Sequence, residues 1–310
     1  MTVKFPTSVL VMAIITLAIA SPAAAQRAQP HQQGTLRKFD PLYRLPEGVT
    51  VDADVVFSSP NGRDLRLDLF APEGGAGPFP AVLFIQGSGH NGNNKVHFWR
   101  EAAHLARDSF IAITIEHRGL GPDGARWPAQ LEDSEAALRW MTVNAARYRI
   151  DPARIGVVGA SSGAHLAALL GLAAHRGSSE RPPVRAVVLI SGLLDLTYFA
   201  ENRVWSDEYR MWINFAPLLG SSYDEDPQRW REASPITHVS ADDPPVLIMH
   251  GTADGTLPLQ QAERFYRAVR AAGVPAEFVP VEGGTHEMTN AFAYSAVLDR
   301  MKIFLARLLK

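Results

Sequence analysis

A chain of 310 residues, 46% hydrophobic and 20% charged, has the make-up of an ordinary globular protein long enough for one large domain or two small ones, which excludes the fibrous and disordered classes. A formal net charge of −2, with Lys and Arg dispersed along the chain, leaves no electrostatic footprint for DNA or RNA, and no nucleic-acid partner is expected. The absence of cysteine removes disulfides, thiolate nucleophiles and zinc–thiolate sites, so stability rests on the core alone.

The first residues have the three parts of a secretory signal: Lys4 in a short basic region, an apolar run from Val9 to Ala20, and Ala23-Ala24-Ala25 ahead of Gln26 as a small-residue cleavage site. The run is broken by Thr16 and is shorter than the ~20 residues that span a bilayer, which favours a cleaved signal over an anchor. Residues 1–25 are therefore read as a signal, with an exported mature chain (periplasmic or secreted) that keeps no membrane span. Residues 26–48 are polar, proline-bearing and aperiodic, and read as a flexible lead-in.

A single domain is expected over 49–310. Val49 to Ser58 and Leu65 to Phe70 alternate apolar and polar residues around Asn61-Gly62, which predicts an antiparallel hairpin at a sheet edge. From Ala81 the strands become short continuous apolar runs, Ala81–Ile85, Phe110–Ile115, Ile155–Val158, Val184–Ile190 and Val246–Met249, as expected of strands buried on both faces. Helical stretches lie between them, at Phe98–Arg107, Leu131–Tyr148, Ser162–Ala174 and Leu259–Ala272. Ala276–Val281 and Ala291–Leu309 supply a last strand and helix. Strands alternating with helices predict an α/β domain with a mostly parallel sheet covered on both faces. The stretch from Leu193 to Asp243 is too long for a plain crossover and holds Tyr198, Phe199, Trp205, Tyr209, Trp212, Phe215, Tyr223 and Trp230. It reads as a helical cap insert whose rings either line a ligand pocket or pack the cap on the core.

The chemistry centres on Gly159-x-Ser161-x-Gly163, between an apolar strand and an apolar helix. Such a reversal needs small neighbours if the serine is to stand exposed in a strained conformation, and the helix N-terminus behind it offers backbone N–H groups. A serine attacks only when a histidine takes its proton and an acid fixes that histidine. In a parallel sheet both belong on loops after later strands, which selects Asp254, in the loop after Val246–Met249, and His286, in the loop after Ala276–Val281. Asp242 and Asp243 precede their strand; His90, His97, His117, His165 and His250 fit less well, with His165 read as a packing residue and His250 as one that orients the Asp254 loop. The oxyanion is expected to be met by the N–H of Ser162 and by those of Gly87 and Ser88 in the loop Gln86-Gly87-Ser88-Gly89-His90-Asn91-Gly92. No histidine pair has metal spacing such as H-E-x-x-H, so neither metal nor cofactor is expected.

With these residues in place the chain resembles the α/β-hydrolase fold, in the branch of carboxylesterases, hormone-sensitive-lipase-like enzymes and feruloyl and acetyl-xylan esterases. Besides the serine motif, the resemblance rests on Glu116-His117-Arg118-Gly119-Leu120, Trp127-Pro128-Ala129, Leu131 to Trp140, Ala233 to Val239 and Asp243 to Gly251. Where that group commonly reads His-Gly-Gly-Gly, this chain has Gln86-Gly87-Ser88-Gly89, which keeps backbone donors and changes the pocket. The resemblance implies a serine esterase acting on short carboxylic esters, acetyl or feruloyl among them, carried on a small molecule or a polysaccharide. The alternatives within the fold are a peptidase or an acyltransferase; outside catalysis, it is a ligand-binding module.

Overall fold

The computed structural model describes residues 44–90, 95–120, 125–172, 184–202, 215–288 and 291–310. The signal segment, the lead-in up to residue 43, Asn91 and Gly92, and Trp205, Tyr209 and Trp212 of the insert lie outside the described residues.

Among the described residues eight strands form one sheet. They are β1 (Val49–Ser58), β2 (Leu65–Pro72), β3 (Phe79–Ile85), β4 (Ile111–Ile115), β5 (Ile150–Ala160), β6 (Val184–Ile190), β7 (Val246–Gly251) and β8 (Ala276–Val281), in the order β1-β2-β4-β3-β5-β6-β7-β8. β1 and β2 form the expected antiparallel hairpin, closed by Pro60–Gly62 with Asn61 at φ +54°, and β2 joins the sheet antiparallel to β4. Every later pairing is parallel.

The helices are α1 (Trp99–Arg107), α2 (Ala129–Val143), α3 (Ala145–Tyr148), α4 (Ser162–Leu172), α5 (Leu196–Asn202), α6 (Ala216–Leu219), α7 (Pro227–Glu232), α8 (Gln260–Ala271) and α9 (Ala291–Leu309). The single helix expected over Leu131–Tyr148 is two: it starts earlier, after Pro128, and breaks at Asn144, whose side-chain amide and backbone N–H both return to Trp140 O.

Alternation along the buried strands divides the core into two layers. Leu83, Ile85, Ile113, Val157, Leu189 and Ile248 face α2, α4 and α8, while Val82, Phe84, Ala112, Val158, Val188, Leu247 and Met249 face α1 and α9. α4 is buried along nearly its whole length, as a helix apolar all round must be. The insert contributes α5, α6 and α7, and rings on and between these helices pack in series, Phe199 on Phe215, Phe215 on Trp230 and Trp230 on Tyr223, within the α4 layer. Those aromatics are core.

Candidate active site

β5 passes into α4 with one residue between them, so the reversal falls on Ser161, at φ +54°. A Cβ on Gly159 would stand 2.2 Å from Gly163 O, and one on Gly163 would stand 2.1 Å from Ile85 O, so neither position has room for a side chain. The left-handed turn, which costs a non-glycine residue roughly 1–3 kcal/mol, is pinned from both sides. Ser161 N–H donates to Ile190 O (2.9 Å), and His165 N–H donates back to Ser161 O (3.2 Å).

The turns after β7 and β8 are locked together before they present a side chain. A Cβ on Gly251 would meet Gly284 O at 2.1 Å; Ala253 N–H donates to Gly284 O (2.9 Å), Thr252 N–H to Val281 O (3.0 Å) and Gly283 N–H to Thr252 Oγ1 (2.9 Å). From this double turn His286 reaches Asp254 Oδ2 with Nδ1 (2.9 Å) and Ser161 Oγ with Nε2 (2.9 Å). The structure thus brings together the serine, acid and histidine picked from the sequence.

Asp254 Oδ1 accepts from Thr256 N–H (2.8 Å) and Leu257 N–H (2.9 Å). On Oδ2, His286 is joined by His250 Nε2 at 3.0 Å, and because His250 Nε2 also faces Leu257 O (3.0 Å) that nitrogen carries the proton. Burial alone would raise the Asp254 carboxyl, but the donors from His250, His286 and the Leu257 backbone, with the charge of His286, outweigh it and hold the group well below the usual carboxylate range. His250 therefore serves the acid directly.

Gly87 lies hard against the serine: a Cβ there would stand 2.5 Å from Ala160 O and 2.7 Å from Ser161 Cβ. Ser162, first in α4, follows the serine directly. Ser88 differs from the sequence expectation. Its N–H already has a partner in the fold, donating to Ser162 Oγ (3.0 Å). The side chains of Ser162, His90 and His165 were not separable from packing in the sequence; only the fold brings residues some 70 positions apart into hydrogen-bond contact.

A cavity of about 830 Å³ opens over Ser161 and His286. The loop residues 86–89 form one side, His97, Phe98, Arg100 and Glu101 another, and Ile190, Met288, Val297, Leu298 and Met301 a largely apolar floor. No described residue of the insert lines it. Glu101, its carboxyl raised by burial, is the acidic group from α1 in this wall.

The family described as BD-FAE matches residues 67–269. The chain is similar to Esterase LipC of Mycobacterium tuberculosis (strain ATCC 25618 / H37Rv), with 30% identity over 208 residues, 63% of this chain and 49% of that one. It spans about half the length of the curated relatives it matches. Among solved structures it resembles a truncated carbohydrate esterase from gut microbiota (TM-score 0.71, 29% identity, 84% of this chain and 96% of that one). It also resembles the propionate-bound esterase Est2 of the planctomycete Thermogutta terrifontis (TM-score 0.70, 26% identity, 84% and 96%).

Proposed function

Because the chain belongs to the BD-FAE family of α/β-hydrolases, we propose that it is an exported serine esterase that cleaves short carboxylic esters through an acyl-enzyme. The observation that carries this reading is His286 itself, with one ring nitrogen 2.9 Å from an ionised, buried carboxylate and the other 2.9 Å from a serine oxygen on a strained turn.

The Ser161 hydroxyl gives its proton to His286 Nε2 as Oγ attacks the ester carbonyl, and Asp254 stabilises the imidazolium that forms and fixes the tautomer in which Nδ1 keeps its hydrogen. The developing oxyanion is met by the N–H groups of Gly87 and Ser162. The tetrahedral intermediate collapses as His286 protonates the leaving alcohol; water, deprotonated by the same histidine, then releases the acid. Acetyl and feruloyl groups, on small molecules or polysaccharide, are the acyl groups proposed. Similarity to a carbohydrate esterase and to an esterase holding propionate supports this choice, as does a cavity with an apolar floor beside the serine. Export rests on the Lys4, Val9–Ala20 and Ala23-Ala24-Ala25 pattern.

Release of p-nitrophenol from p-nitrophenyl acetate, beside a folded Ser161→Ala control, tests the reading. Turnover that vanishes in the variant is expected; equal turnover in both, or none in either, overturns it. N-terminal sequencing of the exported protein is expected to begin at Gln26, and a chain that keeps Met1 would remove the cleaved-signal proposal.

A further inference from the structure

The loop that follows β3 is held by a side chain that neither the nucleophilic step nor the proton relay uses. Ser162 Oγ accepts two backbone N–H groups from that loop, Ser88 at 3.0 Å and His90 at 3.2 Å. From the other side the amide of Gln86 donates to Gly87 O, so the peptide unit joining Gly87 to Ser88 is fixed at both ends, its carbonyl by Gln86 and its N–H by Ser162. A planar peptide fixed at both ends cannot rotate, so only the φ and ψ of Gly87 stand between this anchored unit and the Gly87 N–H. One turn further along α4, His165 Nδ1 meets His90 Nε2 (3.1 Å), while His165 Nε2 faces the carbonyl of Ala233 (2.6 Å). A nitrogen facing a carbonyl carries the hydrogen, so Nδ1 of His165 is the acceptor and the His90 ring the donor. Ser162 and His165 lie on one face of α4, three residues apart, and together they grip His90, itself in the left-handed region at φ +64°.

Resting on the serine-esterase reading above, we propose that the Ser162 hydroxyl is a positioning residue. It sets the loop at the separation from Ser161 at which the N–H of Gly87 and its own N–H converge on one oxyanion. The role is separable from the Ser162 backbone donor, because Ser162→Ala keeps the N–H and removes only Oγ. A group that acts by placing transition-state donors changes kcat and leaves ground-state binding nearly alone.

The experiment compares wild type, Ser162→Ala and Ser162→Cys as the full chain, by steady-state kinetics on p-nitrophenyl acetate and by inhibition with an alkyl trifluoromethyl ketone, whose hemiketal adduct places an oxyanion in the same pocket. Ser162→Ala is expected to lower kcat tenfold or more with KM within threefold, and to weaken trifluoromethyl-ketone binding by the same factor. Ser162→Cys, close in volume with a poorer acceptor, is expected to fall between, and it serves alone if Ser162→Ala does not fold. A folded variant with wild-type kcat and wild-type ketone affinity overturns the proposal, as does a loss that falls on KM alone. Failure of the esterase reading looks different: wild type is then inactive, or its turnover survives Ser161→Ala.

Discussion

Oδ2 of Asp254 serves two histidines, and the backbone donors on Oδ1 complete its shell. Four donors around a fully buried carboxylate keep it ionised across any practical assay range, so the acid limb of activity is not set by Asp254. Asp254→Asn keeps the shape but offers an amide where His286 Nδ1–H needs an acceptor, which favours the wrong tautomer. It is expected to lower kcat by about 10³–10⁴-fold, judged by tautomer loss in other serine hydrolases, while KM stays near wild type; a loss under tenfold on p-nitrophenyl acetate would contradict the role given to Asp254. The glycine motif makes a second demand at this scale. In Gly163→Ala the new Cβ falls 2.1 Å from Ile85 O, a backbone atom of a central strand that cannot yield. The variant is expected to be insoluble or to lose its cooperative melt, and a wild-type melting curve would refute this.

The turn Lys95–Phe98 and α1, which together form one wall of the cavity, are fastened to the hairpin by a buried carboxylate. Asp68, on β2, is fully buried; Lys95 Nζ lies 2.6 Å from its Oδ1 and Trp99 Nε1 donates to its Oδ2 at 2.8 Å, with Asp54 also 2.9 Å from the ammonium. Alternation along Leu65-Arg66-Leu67-Asp68-Leu69 puts Asp68 on a polar face, and α1 then covers that face, so the position is polar and buried at once. Removing Asp68 leaves the buried Lys95 ammonium only the half-exposed Asp54 and takes the acceptor from Trp99 Nε1. Asp68→Ala is expected to cost about 3–5 kcal/mol in urea unfolding, and a change below 1 kcal/mol would show the pair to be incidental. On the other face, the bond from His165 to Ala233 O fastens the insert to the nucleophile helix, and its ring also lies against Trp127.

For the molecule as a whole, buried histidines set the response to acid. His165 is pulled down to about 4 by burial, opposed by its bond to Ala233 O and helped by His238, and His90 is lowered well below its ordinary value by burial and by His165 and His117. Both are held neutral in the folded chain and titrate near 6.5 once unfolded, so the unfolded chain binds more protons below that pH. Their contribution to stability is complete above about 6.5 and is lost as pH falls below it; for His165 the loss runs down to about pH 4 and amounts to about 3 kcal/mol. Glu101, raised by burial, acts in the opposite sense in weak acid. Urea midpoints at pH 7.5, 6, 5 and 4.5 are expected to fall in wild type and to fall less steeply in His165→Gln. Equal slopes would remove His165 as the cause.

By itself the sequence determined what depends on local pattern. Apolar runs of strand length, the hairpin at Asn61-Gly62, the strand–Gly-x-Ser-x-Gly–helix junction, and the loops after β7 and β8 all follow from periodicity, steric need and chain order, and they were enough to select Ser161, Asp254 and His286 as a set. The tertiary structure decided what depends on which atoms compete for one another. It turned the Ser88 N–H onto Ser162 Oγ, gave Asp254 a second histidine, buried Asp68 beneath α1 and, among the described residues of the insert, packed Phe199, Phe215 and Trp230 into the core. Apart from the nearby pair His250 and Asp254, these join residues from distant parts of the chain, and a hydrogen bond is made with whichever partner the fold brings within reach, which no spacing in the sequence encodes.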